Sequence, residues 1–402
     1  MVASSRFTNL VAAGAALLFL AAFGALHGGW YDDEEIVDIP VYETYGNAIE
    51  AGKLPYRDFE LEYPPAALPV FALPALLSER DDQPAFRRAF EWTMAACGVL
   101  ALLAAGLILA ALRASRRRVV AALSAIAVFP LLLGSVVLTR FDLWPIALVL
   151  AALAALLHER HRLGFGVLGL AVAAKLFPVV LVPLALSLVW RRRGRREALA
   201  CLGVLAGVVV VAFLPFVVLG ADGVAYSLGR QLGRPLQIES LGSAVLLTAH
   251  HLFGLGTEMR SSHGSQNLVG TGAVVIAVLL TAAQVGTLTW IWLRRPRTGE
   301  ELVRWSAAAL VAFVALGKVL SPQFLIWLAP LVPLVAGRRG VRAAGLLAIA
   351  FVLTQLWFPA RYWDLALTFD GRSSAFVLAR DLVLVAVLVL LSRSERGPAR
   401  SP

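Results

Sequence analysis

"RASRRRVVAALSAIAVFPLLLGSVVLTRFDLWPIALVLAALAALLHERHR", residues 113–162, carries the pattern that organises the whole chain. An arginine cluster gives way to an apolar run, Arg140 and Asp142 interrupt it, and a second apolar run ends in another basic cluster at 158–162. In hydrocarbon, backbone N–H and C=O groups must be satisfied within the segment, so such runs form helices. The stretch predicts a helical hairpin, with basic clusters on one side of a membrane and the "TRFD" turn on the other.

The same pattern recurs along the chain. Basic clusters stand at 113–118, 158–162, 191–196, 294–297, 338–342 and 393–400. The positive-inside rule places all of them in the cytoplasm, so each interval must cross out and back. Crossings are expected at roughly 8–27, 87–112, 119–138, 141–157, 163–174, 176–190, 198–219, 268–293, 301–320, 322–336, 342–359 and 375–392. That is an all-α polytopic membrane bundle of about twelve helices, one domain over 1–402, with both termini cytoplasmic. Segments 163–174 and 176–190 are short for spans, and read either as half-helices or as one long helix broken at Pro178. Segments 64–78 and 241–256 must not cross, and are expected to lie at the outer face.

Composition agrees with this reading. The chain is 59% hydrophobic and 15% charged, against roughly 25% charged in soluble domains. No ten-residue alternating segments indicate a membrane β-barrel. The net charge of +10 does not imply a nucleic-acid partner, because the arginines sit at the ends of apolar runs. Cys97 and Cys201 lie inside apolar runs as small core residues. The first apolar run resembles a signal peptide, but no clear small-x-small site precedes His27, so a retained helix is expected.

Against this background the acidic segment is anomalous. Ten of the 26 acids fall between Trp30 and Tyr63, opposed only by Lys53 and Arg57. They belong to an expected outer loop over 28–86; a second outer segment is expected over 220–267. Within the first loop Pro40 suits a helix start and Gly52 a stop. Val41, Tyr45, Ala48 and Ile49 form an apolar stripe between them, predicting an amphipathic helix on the membrane surface. Asp38 precedes that helix. Two roles are open to it: a general base that deprotonates a hydroxyl, its ionised form favoured by the helix dipole, or merely a helix cap or part of a solvated acidic face.

The same topology puts cations on the outer turns, against the rule that explains the other arginines. Arg140, Lys175 and Lys318 adjoin apolar sequence, where ionisable groups usually face a cavity and a partner. Asp142 is a candidate partner for Arg140, whereas Lys175 and Lys318 have no acid nearby in sequence. One reading is an anion site for a membrane-embedded phosphate; the other is snorkelling to lipid headgroups. His250, His251 and His263 match no metal-ligand spacing, so no metal is expected. "GFGVLG" at 164–169 is helix-packing glycine rather than a dinucleotide fingerprint, and no Walker loop, HExxH or GxSxG occurs.

"DIPVYETYGNAIEAGKLPYRDFELEYPPAALPVFALP" (38–74), "RFDLWPIAL" (140–148), "LGLAVAAKLFPVVLVPLAL" (168–186) and "KVLSPQFLIWLAPLVPL" (318–334), in this order, resemble glycosyltransferase family 87. These are actinobacterial GT-C enzymes related to polyprenol-phosphate-mannose-dependent α-1,2-mannosyltransferases. The resemblance runs from about residue 30 to 336. It implies a plasma-membrane, multi-pass transferase acting on the outer face. A sugar, mannose in the best-known relatives, would pass from a polyprenyl-monophosphate donor to a glycolipid or glycan acceptor, with the donor as co-substrate and no cofactor. It also implies an aspartate base in the first outer loop, mapped by the D-x-x-V-Y element onto Asp38, with Asp32 and Asp33 as alternatives. Arg140, Lys175 and Lys318 would then bind donor phosphate. Tyr42, Tyr63, Asp142, Gln237, Glu239 and Gln323 are expected to line the substrate site. "PYRDFELEYPP" departs from the plainer context of the mannosyltransferases and leaves sugar and acceptor open. The alternative is a transporter or flippase of anionic polyprenyl-phosphate lipids. Transporters commonly carry repeated halves with matched broken helices; no such repeat is present, and the polar groups gather on one face.

Overall fold

A computed structural model describes residues 2–31 and 36–393. Helix starts follow local chemistry. Ser4 accepts a hydrogen bond from the Phe7 amide at the head of α1 (Ser5–Gly24). After α2 (Ile39–Glu50) and α3 (Pro69–Leu76), Asp82 caps α4 (Gln83–Ala111) by accepting from the Ala85 amide. Ser115 does the same for α5 (Arg116–Leu133). Each satisfies an amide that the first helical turn leaves without a partner. The chain continues through α6 (Val136–Thr139), α7 (Leu143–Leu157), α8 (His161–Ala174), α9 (Val182–Leu232), α10 (Leu241–Phe253) and α11 (Thr271–Trp292). It finishes with α12 (Gly299–Ala315), α13 (Leu325–Leu328), α14 (Gly337–Gln355), α15 (Tyr362–Thr368) and α16 (Gly371–Ser392). The protein is an all-α membrane bundle.

Among the described residues five helical stretches are long and apolar enough to cross a membrane: Ser5–His27, Gln83–Ala111, Phe177–Leu232, Thr271–Trp292 and Gly371–Ser392. Shorter apolar helices pack among them. α4 lies against α7, α7 against α8 and α8 against α9, while α1 joins α4 to α5 and α16 joins α12 to α14. Val210, Val211, Leu214 and Val218 on α9, and Val274, Val275, Val278 and Leu279 on α11, are exposed. Water would charge about 25 cal/mol per Å² for that apolar surface, and lipid does not.

The arginine clusters gather at one end. Arg118 pairs with Glu300 and also reaches the Leu334 carbonyl. Arg162 pairs with Glu197, and Arg192 and Arg193 pair with Glu159. The Ala3 amide donates to the Ala114 carbonyl, and Arg304 donates to the Leu391 carbonyl, so the first and last described residues lie at this same end.

Several expectations need correction. The crossing expected over 322–336 is no single helix but a 3-10 turn Pro322–Phe324, the one-turn α13 and a second 3-10 turn Val332–Leu334. Leu325, Ile326, Leu328 and Leu331 are wholly buried, and protein rather than lipid surrounds this irregular backbone. Residues 163–190 are not one long helix broken at Pro178: α8 ends at Ala174, a 3-10 turn Phe177–Leu181 follows, and α9 returns alongside α8. α9 itself divides at Gly194 (φ 82°) within the "RRRGRR" cluster, where a left-handed residue is required, and again at Gly220. The expected span 119–138 is interrupted at Gly134 (φ 78°). Where the second outer segment is expected, the chain forms a small sheet that runs two residues past 267: β1 (Leu236–Gln237), β2 (Glu258–Ser262) and β3 (Ser265–Val269), antiparallel in the order β1-β3-β2.

The surface helix exists as α2, with a different buried face. Ile39, Tyr42, Tyr45 and Gly46 are buried, and Val41 is exposed. Gly46 fixes this rotation. A Cβ there would stand 2.6 Å from the Phe71 carbonyl and 2.9 Å from Ala75 Cβ, so only glycine lets α2 press onto α3. Packing on α3 replaced the membrane surface as the helix's apolar partner.

Candidate active site at the end opposite the arginine clusters

α5 leaves the arginine end at Arg116 and α7 returns to it at Leu157, so the turn between them, Gly134–Asp142, lies at the far end of the hairpin. α8 likewise starts at the arginine end and delivers Lys175, and α12 delivers Lys318. These turns meet the acidic segment. Asp38 stands at the N-cap position of α2 but makes no side-chain cap hydrogen bond. Its Oδ1 instead pairs with Arg140 Nη1, and the Tyr42 hydroxyl donates to its Oδ2 at 3.3 Å. Arg140 Nη2 also donates to the Ile36 carbonyl at 3.0 Å, tying the guanidinium to residues 36–38, which lead into α2. The Arg140 side chain is 8% exposed and that of Asp38 is 32% exposed. A buried cation thus fixes one edge of a carboxylate that remains open to a ligand.

Asp142 does not pair with Arg140, as adjacency in sequence suggested. It is fully buried, and its Oδ1 accepts from Lys175 Nζ at 2.6 Å and from Trp327 Nε1. The two side chains of "RFD" take opposite partners because Phe141 between them fills the aromatic core with Tyr42, Tyr63 and Phe71. Lys175 Nζ lies 4.5 Å from the Phe141 ring centroid, 5.3 Å from Trp327 and 6.0 Å from both Tyr63 and Phe324. Trp327 is itself stacked between Phe177 at 4.0 Å and Phe324 at 4.2 Å. An ammonium in such an enclosure is held by the ring quadrupoles as well as by its carboxylate. Carboxylate–cation pairs therefore stand side by side, one partly open and one sealed.

Gln237 and Glu239 form a third polar layer. Both are buried; Gln237 Nε2 donates to the Glu239 carboxyl, the Gln237 amide donates to the Lys318 carbonyl at 3.0 Å, and Arg380 donates to the Glu239 carbonyl at 2.6 Å. Burial pushes the Glu239 carboxyl up to about 8, although the nearby charges of Arg380 and Arg140 pull the other way. Lys318 is partly exposed and reaches only the Leu232 carbonyl, at 3.5 Å. Gln323 lies on the 3-10 turn beside Phe324, with its Oε1 buried and without a partner. Asp32 and Asp33 lie outside the described residues.

The structure adds residues that the sequence did not single out. Glu62 accepts from Arg230 at 2.7 Å, lies 4.0 Å from Arg234, and takes a hydrogen bond from Gln231 on its carbonyl. It latches the acidic segment to the end of α9. Trp327 and Phe324 looked like ordinary membrane-helix residues, and only the folded turn shows that they enclose Lys175. Among the described residues no three His, Cys, Asp or Glu side chains gather as a metal site requires. His250 meets the Leu255 carbonyl at 2.7 Å.

The family model for Glycosyltransferase family 87 matches residues 61–322. The match takes in Arg140, Asp142, Lys175 and Lys318; Trp327 lies just beyond its end, and Asp38 precedes its start. No curated protein matches the chain. Two crystal structures of an Archaeoglobus fulgidus oligosaccharyltransferase, one apo and one tethered by a disulfide to an acceptor peptide containing the NVT sequon, each align with a TM-score of 0.46 at 15% identity. The alignments cover 98% and 96% of this chain and 57% and 54% of those proteins, so the chain spans just over half their length.

Proposed function

The chain belongs to glycosyltransferase family 87, and from that premise we propose an integral membrane transferase that moves a hexose, mannose foremost, from a polyprenyl-monophosphate donor to a glycolipid or glycan hydroxyl. The protein is a multi-pass component of the plasma membrane. Its arginine clusters and termini face the cytoplasm, and Asp38 lies on the outer side. The observation that carries the reading is the half-open Asp38 carboxylate, braced by buried Arg140 beside the sealed Asp142–Lys175 pair.

In this mechanism the acceptor hydroxyl hydrogen-bonds to Asp38 Oδ2, the oxygen that Arg140 does not hold. Its oxygen attacks the anomeric carbon as its proton passes to the carboxylate, while the bond from that carbon to the phosphate oxygen breaks on the opposite face. One displacement inverts the anomeric centre, and polyprenyl phosphate leaves as an anion. Arg140 holds Asp38 in place through its guanidinium, in the way a positioned base requires. The cations of the site stabilise the charge that builds on the departing phosphate. Lys175 and Asp142 set the geometry of the floor. The donor is a co-substrate, and the proposed chemistry calls on no resident cofactor.

The test is transfer from radiolabelled polyprenyl-phosphate mannose by the purified protein in liposomes that carry a bacterial glycolipid extract. Label appearing in a glycosylated product supports the reading. Label that crosses the bilayer still attached to the donor would instead identify a lipid transporter.

A further inference from the structure

The charges of the site are unequally balanced. Arg140 has Asp38, and Lys175 has Asp142. Arg234 and Lys318 do not share that balance. Glu62 is already bound by Arg230 at 2.7 Å and stands 4.0 Å from Arg234, whose Nε is buried without a partner. Lys318 has no carboxylate within reach among the described residues, and its ammonium meets only the Leu232 carbonyl at 3.5 Å. A half-buried, under-paired guanidinium with a buried N–H is costly unless an anion completes it.

Both cations stand on the wall of one groove of about 790 Å³ that runs between α11 and the turn leading into β1. Its floor is a stripe of one residue per turn on α11, Ala273, Ala277, Thr281 and Val285, with small side chains along most of its length. At 1.5 Å per residue that stripe is about 18 Å long. α11 is long and apolar enough to cross the membrane, and its exposed valines face lipid, so the groove is open to the hydrocarbon. An apolar channel with two under-paired cations on its wall matches a chain lipid that bears a compact anionic group. The Gln237 amide donates to the Lys318 carbonyl at 3.0 Å and the Gln237 side chain donates to Glu239, which joins the groove to the polar layer of the site.

We infer that this groove seats the isoprenoid chain of the donor, and that Arg234 and Lys318, rather than Arg140 and Lys175, hold its phosphate. The inference rests on the transferase reading above and gives it a direction: donor from the α11 side, acceptor from the Asp38 side. The donor's phosphodiester carries one negative charge and the departing polyprenyl phosphate up to two, so the two cations meet the charge as it builds, and the isoprenoid chain covers the apolar floor.

The experiment uses the full chain in phosphatidylcholine nanodiscs, with decaprenyl monophosphate as the binding probe. Ala277→Trp fills the groove, and Arg234→Gln and Lys318→Gln remove the cations; Val285→Trp is a second filling variant should Ala277→Trp fail to give monodisperse protein. Each variant is expected to weaken probe binding at least tenfold, the two cation changes together more than either alone, with phosphatidylglycerol unable to displace the probe. Wild-type affinity in the variants, no binding to the wild type, or displacement by phosphatidylglycerol at equal concentration would overturn the inference. Sugar transfer read on the same samples separates the two ideas. Active protein indifferent to all these changes leaves the transferase standing and the groove wrong; groove-dependent binding without transfer leaves the groove standing and the transferase wrong.

Discussion

Replacing Asp142 by leucine tests the sealed half of the site. Asp142 is fully buried and accepts from Lys175 Nζ at 2.6 Å and from Trp327 Nε1. Its loss leaves a 13%-exposed ammonium with no carboxylate and strands the Trp327 N–H. Breaking a buried pair from one side costs about 3–5 kcal/mol, because the remaining charge keeps its desolvation penalty. The aromatic rings around Lys175 return up to about 2 kcal/mol of that through cation–π attraction, so the lower part of the range is expected. Lys175→Met should cost at least as much, since Asp142 then has only the indole N–H. The double variant Asp142→Leu, Lys175→Met removes both charges and should be more stable than either single one. Equilibrium unfolding in mixed micelles measures all four proteins and gives the coupling directly. Simple addition of the single losses in the double variant would refute the pairing argument.

Other outcomes follow from the same geometry. Glu239 has its carboxyl pushed from 4.5 to about 8 by burial, which favours the protonated native form. Its stabilising contribution is complete below about pH 4.5 and is lost as pH rises to about 8; the gap corresponds to about 5 kcal/mol. Glu239→Gln should therefore match the wild type in unfolding free energy near pH 4.5 and exceed it near pH 8; parallel stability–pH curves for the two proteins would contradict this. Gly46→Ala forces a Cβ to 2.6 Å from the Phe71 carbonyl, and should cost about 1–3 kcal/mol while lowering activity through displaced Asp38. A Gly46→Ala protein with unchanged stability would show that α2 does not press on α3 as described. A cysteine at exposed Asp58 should react with an impermeant maleimide on intact cells, and one at Arg195 only after permeabilisation; the reverse pattern would invert the membrane orientation.

How much of this the sequence could tell differs from residue to residue. The hairpin of residues 113–162 was legible because hydrophobic length and arginine placement are properties of the segment itself. Arg140 and Lys175 could be nominated because polar groups beside apolar sequence demand partners, and Asp38 because it precedes a helix start at Pro40 and fits the D-x-x-V-Y element. Which partner each takes was not legible. Asp142 stands two residues from Arg140 yet binds Lys175, 33 positions away, because Phe141 inserts into the aromatic core and turns its neighbours apart. The face of α2 was missed by one position for a similar reason: α3, not a membrane surface, is what it packs on, and the signal was Gly46 rather than the apolar stripe. Trp327 and Arg234 gave no signal of their own. The first read as part of a span, and the second matters only because the end of α9 sits beside the groove of α11.

The most direct test of the central claim compares wild type with Asp38→Asn in single-turnover transfer from polyprenyl-phosphate mannose, with donor binding measured on the same preparations. Loss of a positioned general base should lower the rate about 10²–10⁴-fold, with donor affinity little changed, because Asp38 meets the acceptor and not the phosphate. A mutant that transfers at the wild-type rate would contradict the account at its centre.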